Sequence, residues 1–523
     1  MEQTIGIDFG TAFITAVHCT PAAHGGVRLK TLTRRPAIAR MLHGGGALCG
    51  DAAFEARSAY RLSTIDQVKR VLGRTTAEIA AVLPQVSWTL LPDAAASGGF
   101  RIDAWTGAFE PEQIAAEILA DTKAAAEREL GQRIDAAVLT ISAAATNRQR
   151  LALKEAARRA GLAVRRIVND PTAIALAEAH LRPANGRERW GVVNVGAGAS
   201  DVAIIDVGGG GVSVKSAAGD MNVGVASIRA RLLELIEQRF RATQGIFLDT
   251  RAEIRAELLW IADETLQALC RSTAHTIDLR AAATHPQRGA LDLCQRLERR
   301  DLESVSRSAC RRLRELAREA LRRADTHPSG IHRILFTGGG AYLPPLRRAL
   351  ADVFRQAART GWGVRNVSWG VMQTRREAPG QAITPAEWPA AGAAILGASL
   401  DGRVDVHVQD VLARSLGVRL VHDRFSRLLP AGTVLPARNS SHYTTVEDYQ
   451  DEIRFEVREG EEPVASRNAE LGAFVLSGIQ RALAGKPSVR VTFDIDESGI
   501  LNVHACDVDT QAQRRVTIER AAH

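Results

Sequence analysis

Three tight glycine turns and three aspartates are the residues of this sequence best suited to chemistry. Gly10-Thr11 closes the strand-like run Ile5-Gly-Ile-Asp-Phe-Gly-Thr11, and Asp8 stands near the end of that run. Gly196-Ala-Gly198 closes Gly191-Val-Val-Asn-Val, and Asp201 opens the next strand. Gly338-Gly-Gly340 follows Arg333-Ile-Leu-Phe-Thr337 and precedes a helical pattern over Leu346 to Phe354. The third acid, Asp170, lies in Val168-Asn-Asp-Pro-Thr-Ala. Glycine lets the backbone approach a ligand closely, and successive N–H groups make a nest for phosphate oxygens. Magnesium takes oxygen ligands and keeps several waters, so two or three converging carboxylates plus phosphates suffice to hold it. Taken singly, each turn can be only a turn and each aspartate only a cap. Other chemistries lack their signatures. The sequence has no H-E-x-x-H among its 13 histidines, no G-x-S-x-G, no phosphate-loop lysine motif and no complete dinucleotide fingerprint.

An internal echo supplies the elements that must position these groups. The Ile5–Thr11 and Gly191–Asp201 stretches each read as apolar strand, polar residue, small-residue turn and second apolar strand. Two such hairpins predict a duplicated lobe with a shared cleft. Helical periods run over Pro111 to Gly131, Val223 to Ala242 and Asp301 to about Asp325. Strands alternating with long helices make residues 1–402 an α/β body. After residue 412 the helical period vanishes. Alternating runs at Ile453–Val457, Val489–Ile495, Ile500–His504 and Arg515–Ile518 predict an antiparallel sandwich.

Composition narrows the class. The 523 residues are 46% hydrophobic and 24% charged, which excludes disorder and suggests about three or four structural units. The longest apolar candidate for a membrane span, Ala390 to Leu400, is too short. Six cysteines without a C-x-x-C pair argue against a disulfide framework and for a reducing, cytoplasmic setting. The net charge of +8 is spread along helix faces opposite acids, as at Arg311, Arg312, Arg314, Glu315, Arg318 and Glu319, so no nucleic-acid partner is expected.

These motifs, in this order, resemble the 70-kDa heat-shock chaperone family of the DnaK type. The resemblance runs over nearly the whole chain. It is carried by Ile5 to Thr11, Val68-Lys-Arg-Val-Leu-Gly-Arg74, Arg166-Ile-Val-Asn-Asp-Pro-Thr-Ala173, Gly338 to Pro344, Ser415-Leu-Gly-Val418 and Val491 to Leu501. It implies an actin-like (ribonuclease H-like) ATPase domain of two lobes over 1–402, a linker over 403–411 and a β-sandwich peptide-binding domain over 412–523. ATP or ADP and Mg2+ are the implied cofactors. Gly10, Thr11, Gly196 and Gly198 would hold phosphates, and Asp8 and Asp201 the hydrated magnesium. Lys69 would position the terminal phosphate and attacking water, with Asp170 in the place of the family's glutamate. Gly338, Gly339, Gly340 and Tyr342 would lie against ribose and adenine. In the sandwich, Val418, Val421, Tyr443, Val446, Ile453 and Phe455 would line the pocket for an apolar side chain of an extended client, or form sandwich core. A J-domain cochaperone and a nucleotide-exchange factor are the further partners implied; a membrane is not.

The departures from the family pattern are chemical. Asn194 stands where a magnesium-site aspartate belongs, and Ala197 and Ala199 delete a glycine and a threonine of the second phosphate turn. Ser142 replaces the proline switch. Leu266 and Cys270 replace a lysine and a serine of the adenosine pocket, and Tyr342 replaces an arginine. Val225-Ala-Ser replaces an acidic stretch. Lost metal and oxyanion contacts predict slow hydrolysis. The linker Val406-His-Val-Gln-Asp410 keeps two valines, which predicts little apolar docking energy and weak coupling between sites. The sequence stops at His523 without a helical lid, so fast peptide release is expected. Three readings follow: an ATP-dependent chaperone with weak ATPase activity, a degenerate nucleotide-binding scaffold, and a sugar kinase or filament protein, the last disfavoured by the sandwich.

Overall fold

The two hairpins of the echo each seed a five-stranded sheet, with four strands in the same order in both and the fifth on opposite edges, in the computed structural model, which describes residues 3–22, 26–92, 99–184, 186–355 and 383–517. In the first sheet Thr4–Phe9 pairs antiparallel with Phe13–Pro21 and parallel with Ala136–Ile141. In the second, Glu188–Val195 pairs antiparallel with Ser200–Gly208 and parallel with Arg333–Thr337. Both hairpins thus aim their glycine turns the same way relative to their own sheet, the requirement for a shared cleft.

Two apolar helices, Asp170–Leu181 and Trp388–Leu400, pack together against the strands of both lobes. Every residue from Trp388 to Ala398 of the second helix is buried, which explains a sequence that reads as apolar all round yet is too short to cross a membrane. Small residues bring backbones into contact there. A Cβ on Gly392 would lie 1.9 Å from the Ala173 carbonyl oxygen, and one on Gly6 would lie 2.2 Å from the Ala390 oxygen. Among the described residues no helix is long and apolar enough to span a membrane.

Helices Pro111–Leu130 and Val225–Gln244 form where the periodicity places them, each ended by a left-handed glycine, Gly131 and Gly245. The expected helix from Asp301 is instead two, Arg299–Val305 and Arg307–Arg323, divided at Ser306. The apolar stripe continues through the break, so periodicity alone misses it. All six cysteines are free thiols.

The C-terminal strands form two four-stranded antiparallel sheets. Val489–Ile495 forms as expected; the other three run from Glu452–Glu459, Leu501–Asp507 and Gln513–Thr517, and Ile518 lies outside the described residues. Val418, Phe455, Val457, Phe493 and Val503 fill the space between the sheets.

The sandwich is docked on the α/β body. Asn147 Oδ1 accepts the Leu501 N–H at 2.8 Å, Ser498 Oγ accepts the Ile167 N–H at 3.1 Å, and Arg150 donates to the Ser498 carbonyl at 3.1 Å. The linker does not depend on apolar burial alone. His407–Gln409 adds as a parallel edge strand to Gly211–Ser213, Ser213 donates to Gln409 at 2.8 Å, and Thr172 donates to Asp410 at 2.9 Å. Backbone ladder bonds and a buried Asp410 thus supplement the few valines on which docking was expected to rest.

The Gly392 contact makes a direct test of the helix packing. Gly392→Ala pushes a methyl into a carbonyl that cannot move independently, and overpacking of this kind costs about 1–3 kcal/mol. Thermal unfolding should show a lower melting temperature; an unchanged one would contradict the close approach.

Candidate functional site

The cleft between the lobes gathers the carboxylates. Asp8 lies at the end of its strand, where Thr140 donates to Oδ1 at 2.9 Å. Burial pushes the Asp8 carboxyl up to about 6, against the opposing charge of Lys69, while the charge of Asp170 pushes the same way as burial. Asp201 is raised further, to about 7, by burial and then by Asp170. Ser142 donates to Asp201 Oδ1 at 2.7 Å and partly offsets that shift. Asp170 opens the helix Asp170–Leu181, whose N-terminal dipole favours a negative charge. These mutual influences make one electrostatic group of Asp8, Lys69, Asp170 and Asp201.

Two carboxylate oxygens of the group, Asp170 Oδ1 and Asp201 Oδ2, are buried without a hydrogen-bond partner. Buried charged atoms in that condition are costly unless a ligand completes them. An acid group facing one ammonium suits a hydrated divalent cation, whose water shell can donate to such oxygens. Among the described residues no three His, Cys, Asp or Glu side chains are placed to ligate a metal directly, so water-mediated contact is the fitting mode.

The glycine turns meet across this group. A Cβ on Gly198 would come within 2.8 Å of Thr11 Oγ1, which places the first two glycine turns against each other. The Gly196 N–H closes its turn on the Ala199 carbonyl at 2.9 Å. The third turn touches the second strand: Gly338 takes a left-handed φ of 79°, and a Cβ there would lie 2.3 Å from the Val195 oxygen. Gly339 is exposed, and Gly340 is buried against Val195. Tyr342 is 57% exposed. Leu266 is buried in the hydrophobic core of the second lobe, with Cys270 half-buried against it.

Asn194 is engaged. It accepts from Thr337 at 3.2 Å and donates weakly to Asp170 Oδ2 at 3.5 Å. An amide at this position feeds a donor into the acid group where a carboxylate would add charge.

Sequence reasoning missed the residues that close the roof. Arg70 is buried, its stem covers Gly198, and its guanidinium donates to Gln67 and Gln85 at 3.0 and 2.8 Å. Burial, then the charge of Arg229, pushes Arg70 down to about 10. Arg229 donates to the Gln85 carbonyl at 2.8 Å and Arg255 to the Leu83 carbonyl at 2.7 Å, tying the lobes together. The one available signal was Arg70's place beside Lys69. Gln67, held at φ 58°, gave none.

In the sandwich, Val418 and Phe455 are core residues, with Phe455 stacked on Phe474 at 5.3 Å. Tyr443 and Ile453 are half-buried beside them, and Tyr443 meets Phe455 edge-on at 5.9 Å. Val421 and Val446 are 48% and 58% exposed. The six residues expected at the pocket therefore divide between the sandwich interior and its surface.

The family whose model is described as Hsp70 protein matches residues 4–364 and 364–523. Among curated proteins, the "Chaperone protein DnaK" of Deinococcus proteolyticus is 30% identical over 524 residues, covering 99% of this chain and 79% of that protein. The proteins of the same name from two Thermus thermophilus strains are 31% identical over 458 residues, covering 87% of this chain and 70% of theirs.

The Ser142 hydroxyl offers a test of how the cleft holds its acids. Ser142→Ala removes the hydroxyl donor to Asp201 Oδ1, a loss of about 1–3 kcal/mol for a buried charged group. The free energy of unfolding should fall by about that amount, with Ser142→Thr restoring most of it. An unchanged stability would show that the hydroxyl does not hold Asp201.

Proposed function

The chain belongs to the Hsp70 family, and from that premise we propose that it is an ATP-dependent chaperone that binds Mg-ATP between its lobes, hydrolyses it slowly and grips extended apolar peptide segments in its sandwich. The observation that carries this reading is the desolvated group of Asp8, Asp170 and Asp201 around Lys69, with two carboxylate oxygens unpartnered, at the meeting of two glycine turns.

In this reading Gly10, Thr11, Gly196 and Gly198 cradle the phosphate chain through backbone N–H groups, and the Thr11 hydroxyl adds a donor. Gly338 to Gly340 allow the backbone to lie against ribose and adenine, with Tyr342 at the open side. Asp8 and Asp201 would hold the magnesium through its waters, and the ion would neutralise phosphate charge and polarise the terminal phosphoryl group. Lys69, a compact cation, stabilises negative charge on the transferred phosphate and orients the attacking water. Asp170 accepts a hydrogen bond from that water, one methylene further back than the family's glutamate reaches. That shortfall, the Asn194 amide and the missing hydroxyl at Ala199 all support slow turnover.

Val418 and Phe455 form the floor of the peptide pocket, Tyr443 and Ile453 its walls, and Val421 and Val446 its rim. An apolar side chain enters while backbone bonds hold the extended segment. J-domain and exchange-factor partners belong to the same reading.

The Asn194–Asp170 contact favours a second reading, a nucleotide-binding scaffold without turnover. Single-turnover hydrolysis separates the two. The chaperone reading predicts magnesium-dependent phosphate release, reduced at least about 100-fold by Lys69→Ala with ATP still bound; the scaffold predicts none over hours. For the sandwich, Val421→Asp with Val446→Asp should weaken binding of an apolar peptide about tenfold or more without changing the melting temperature, since both side chains are exposed. Undiminished peptide affinity would remove these residues from the site.

A further inference from the structure

A cavity of about 350 Å³ opens between the two domains, and none of the residues lining it is assigned to the cleft or to the peptide pocket. Its volume falls in the range of about 300–1,000 Å³ typical of ligand sites. The α/β body contributes Lys215, Arg322 and Arg323, and the sandwich contributes Arg427. Two carboxylates share the lining, Glu319 and Glu461, and both are occupied. Glu319 pairs with Arg323 at 2.6 Å. Glu461 accepts from the Ser415 N–H at 2.8 Å and the Ser415 hydroxyl at 3.0 Å.

The cations divide by what they do. Arg323 is structural: it donates to the carbonyls of Ala217 and Ala413 at 3.1 and 2.7 Å, spanning the edge of the lobe sheet and the chain just beyond the linker. Other arginines of the same helix are matched, Arg312 to Asp220 and Arg314 to Asp352. Arg322 is exposed and has no carboxylate partner among the described residues. Arg427 is exposed and spends one N–H on the Glu461 carbonyl, again without a carboxylate partner among the described residues. Lys215 reaches Asp206 only at 3.6 Å. Docking thus gathers Lys215, Arg322, Arg323 and Arg427 around one hollow that holds two carboxylates, Glu319 and Glu461, with Arg322 and Arg427 free of any carboxylate partner among the described residues. The excess of positive charge costs energy, and guanidinium forks match the oxygens of a phosphate group.

We infer that this hollow is an anion site for a compact phosphate-bearing ligand, complete only when the domains are docked. Such a ligand bridges Lys215 and Arg322 to Arg427, and by linkage it stabilises the docked arrangement, because undocking separates its partners. The site does not depend on the nucleotide reading: its residues are distinct from every residue assigned to the cleft.

The test uses the full chain saturated with Mg-ADP, so that the cleft is filled, with equal magnesium in both solutions. Tripolyphosphate is titrated by calorimetry at low ionic strength, and a second arm uses inorganic phosphate in its place. One saturable tripolyphosphate site is expected, weakened at least about tenfold in the Arg322→Gln, Arg427→Gln variant and weakened by added salt. Binding of tripolyphosphate alone assigns a phosphate chain; binding of both, each weakened in the variant, assigns a single phosphate group. Tryptic cleavage within residues 403–414 should slow when tripolyphosphate is present and not in the variant. Both substituted side chains are exposed and outside the cleft, so ADP affinity and melting temperature should be unchanged. Absence of saturable binding at millimolar ligand, equal affinity in the variant, or unaltered cleavage would each overturn the inference.

Discussion

Burial of negative charge between two lobes is the constraint on which the rest of the molecule turns. Asp8, Asp170 and Asp201 come from three separate segments, and only Lys69 among the assigned residues opposes them. Taking carboxylates out of water raises their pKa values and leaves oxygens unpartnered, so the arrangement is unfavourable until something positive enters. A fold whose interest was stability alone would replace such a group with apolar side chains. The duplicated sheets, the close-packed helices behind them and the roof of Arg70, Arg229 and Arg255 hold it in place instead.

Much of this was legible in the sequence because it follows from local rules. An apolar run, a polar residue and a glycine turn repeated at Ile5 and Gly191 specify two hairpins, and the sheets repeat accordingly. Period-two alternation at Val489–Ile495 gives a strand with the same bounds. What escaped depends on distant partners. The break at Ser306 leaves the apolar stripe intact, so no pattern announces it. Arg70 and Gln85 meet across fifteen positions of irregular chain, where no period operates. Asn147, Arg150 and Ser498 are ordinary polar residues until docking pairs them.

The linker shows why side-chain hydropathy is an incomplete guide to docking. With few apolar residues it was expected to dock weakly, yet a strand added to a sheet edge is held by main-chain bonds that any sequence can make. Asp410, which follows that strand, accepts from Thr172, two residues along the helix that Asp170 opens. Ser142, bonded to Asp201, begins the turn that leads into the helix carrying Asn147 and Arg150. The acid group and the sandwich are therefore joined through short segments of chain.

The most direct measurement is the equilibrium affinity of the purified chain for ATP, with magnesium and again with the magnesium chelated. If buried carboxylates hold the triphosphate through a hydrated cation, binding is saturable with magnesium and falls steeply when the ion is removed. Binding indifferent to magnesium, or none at millimolar ATP, would contradict the account at its centre.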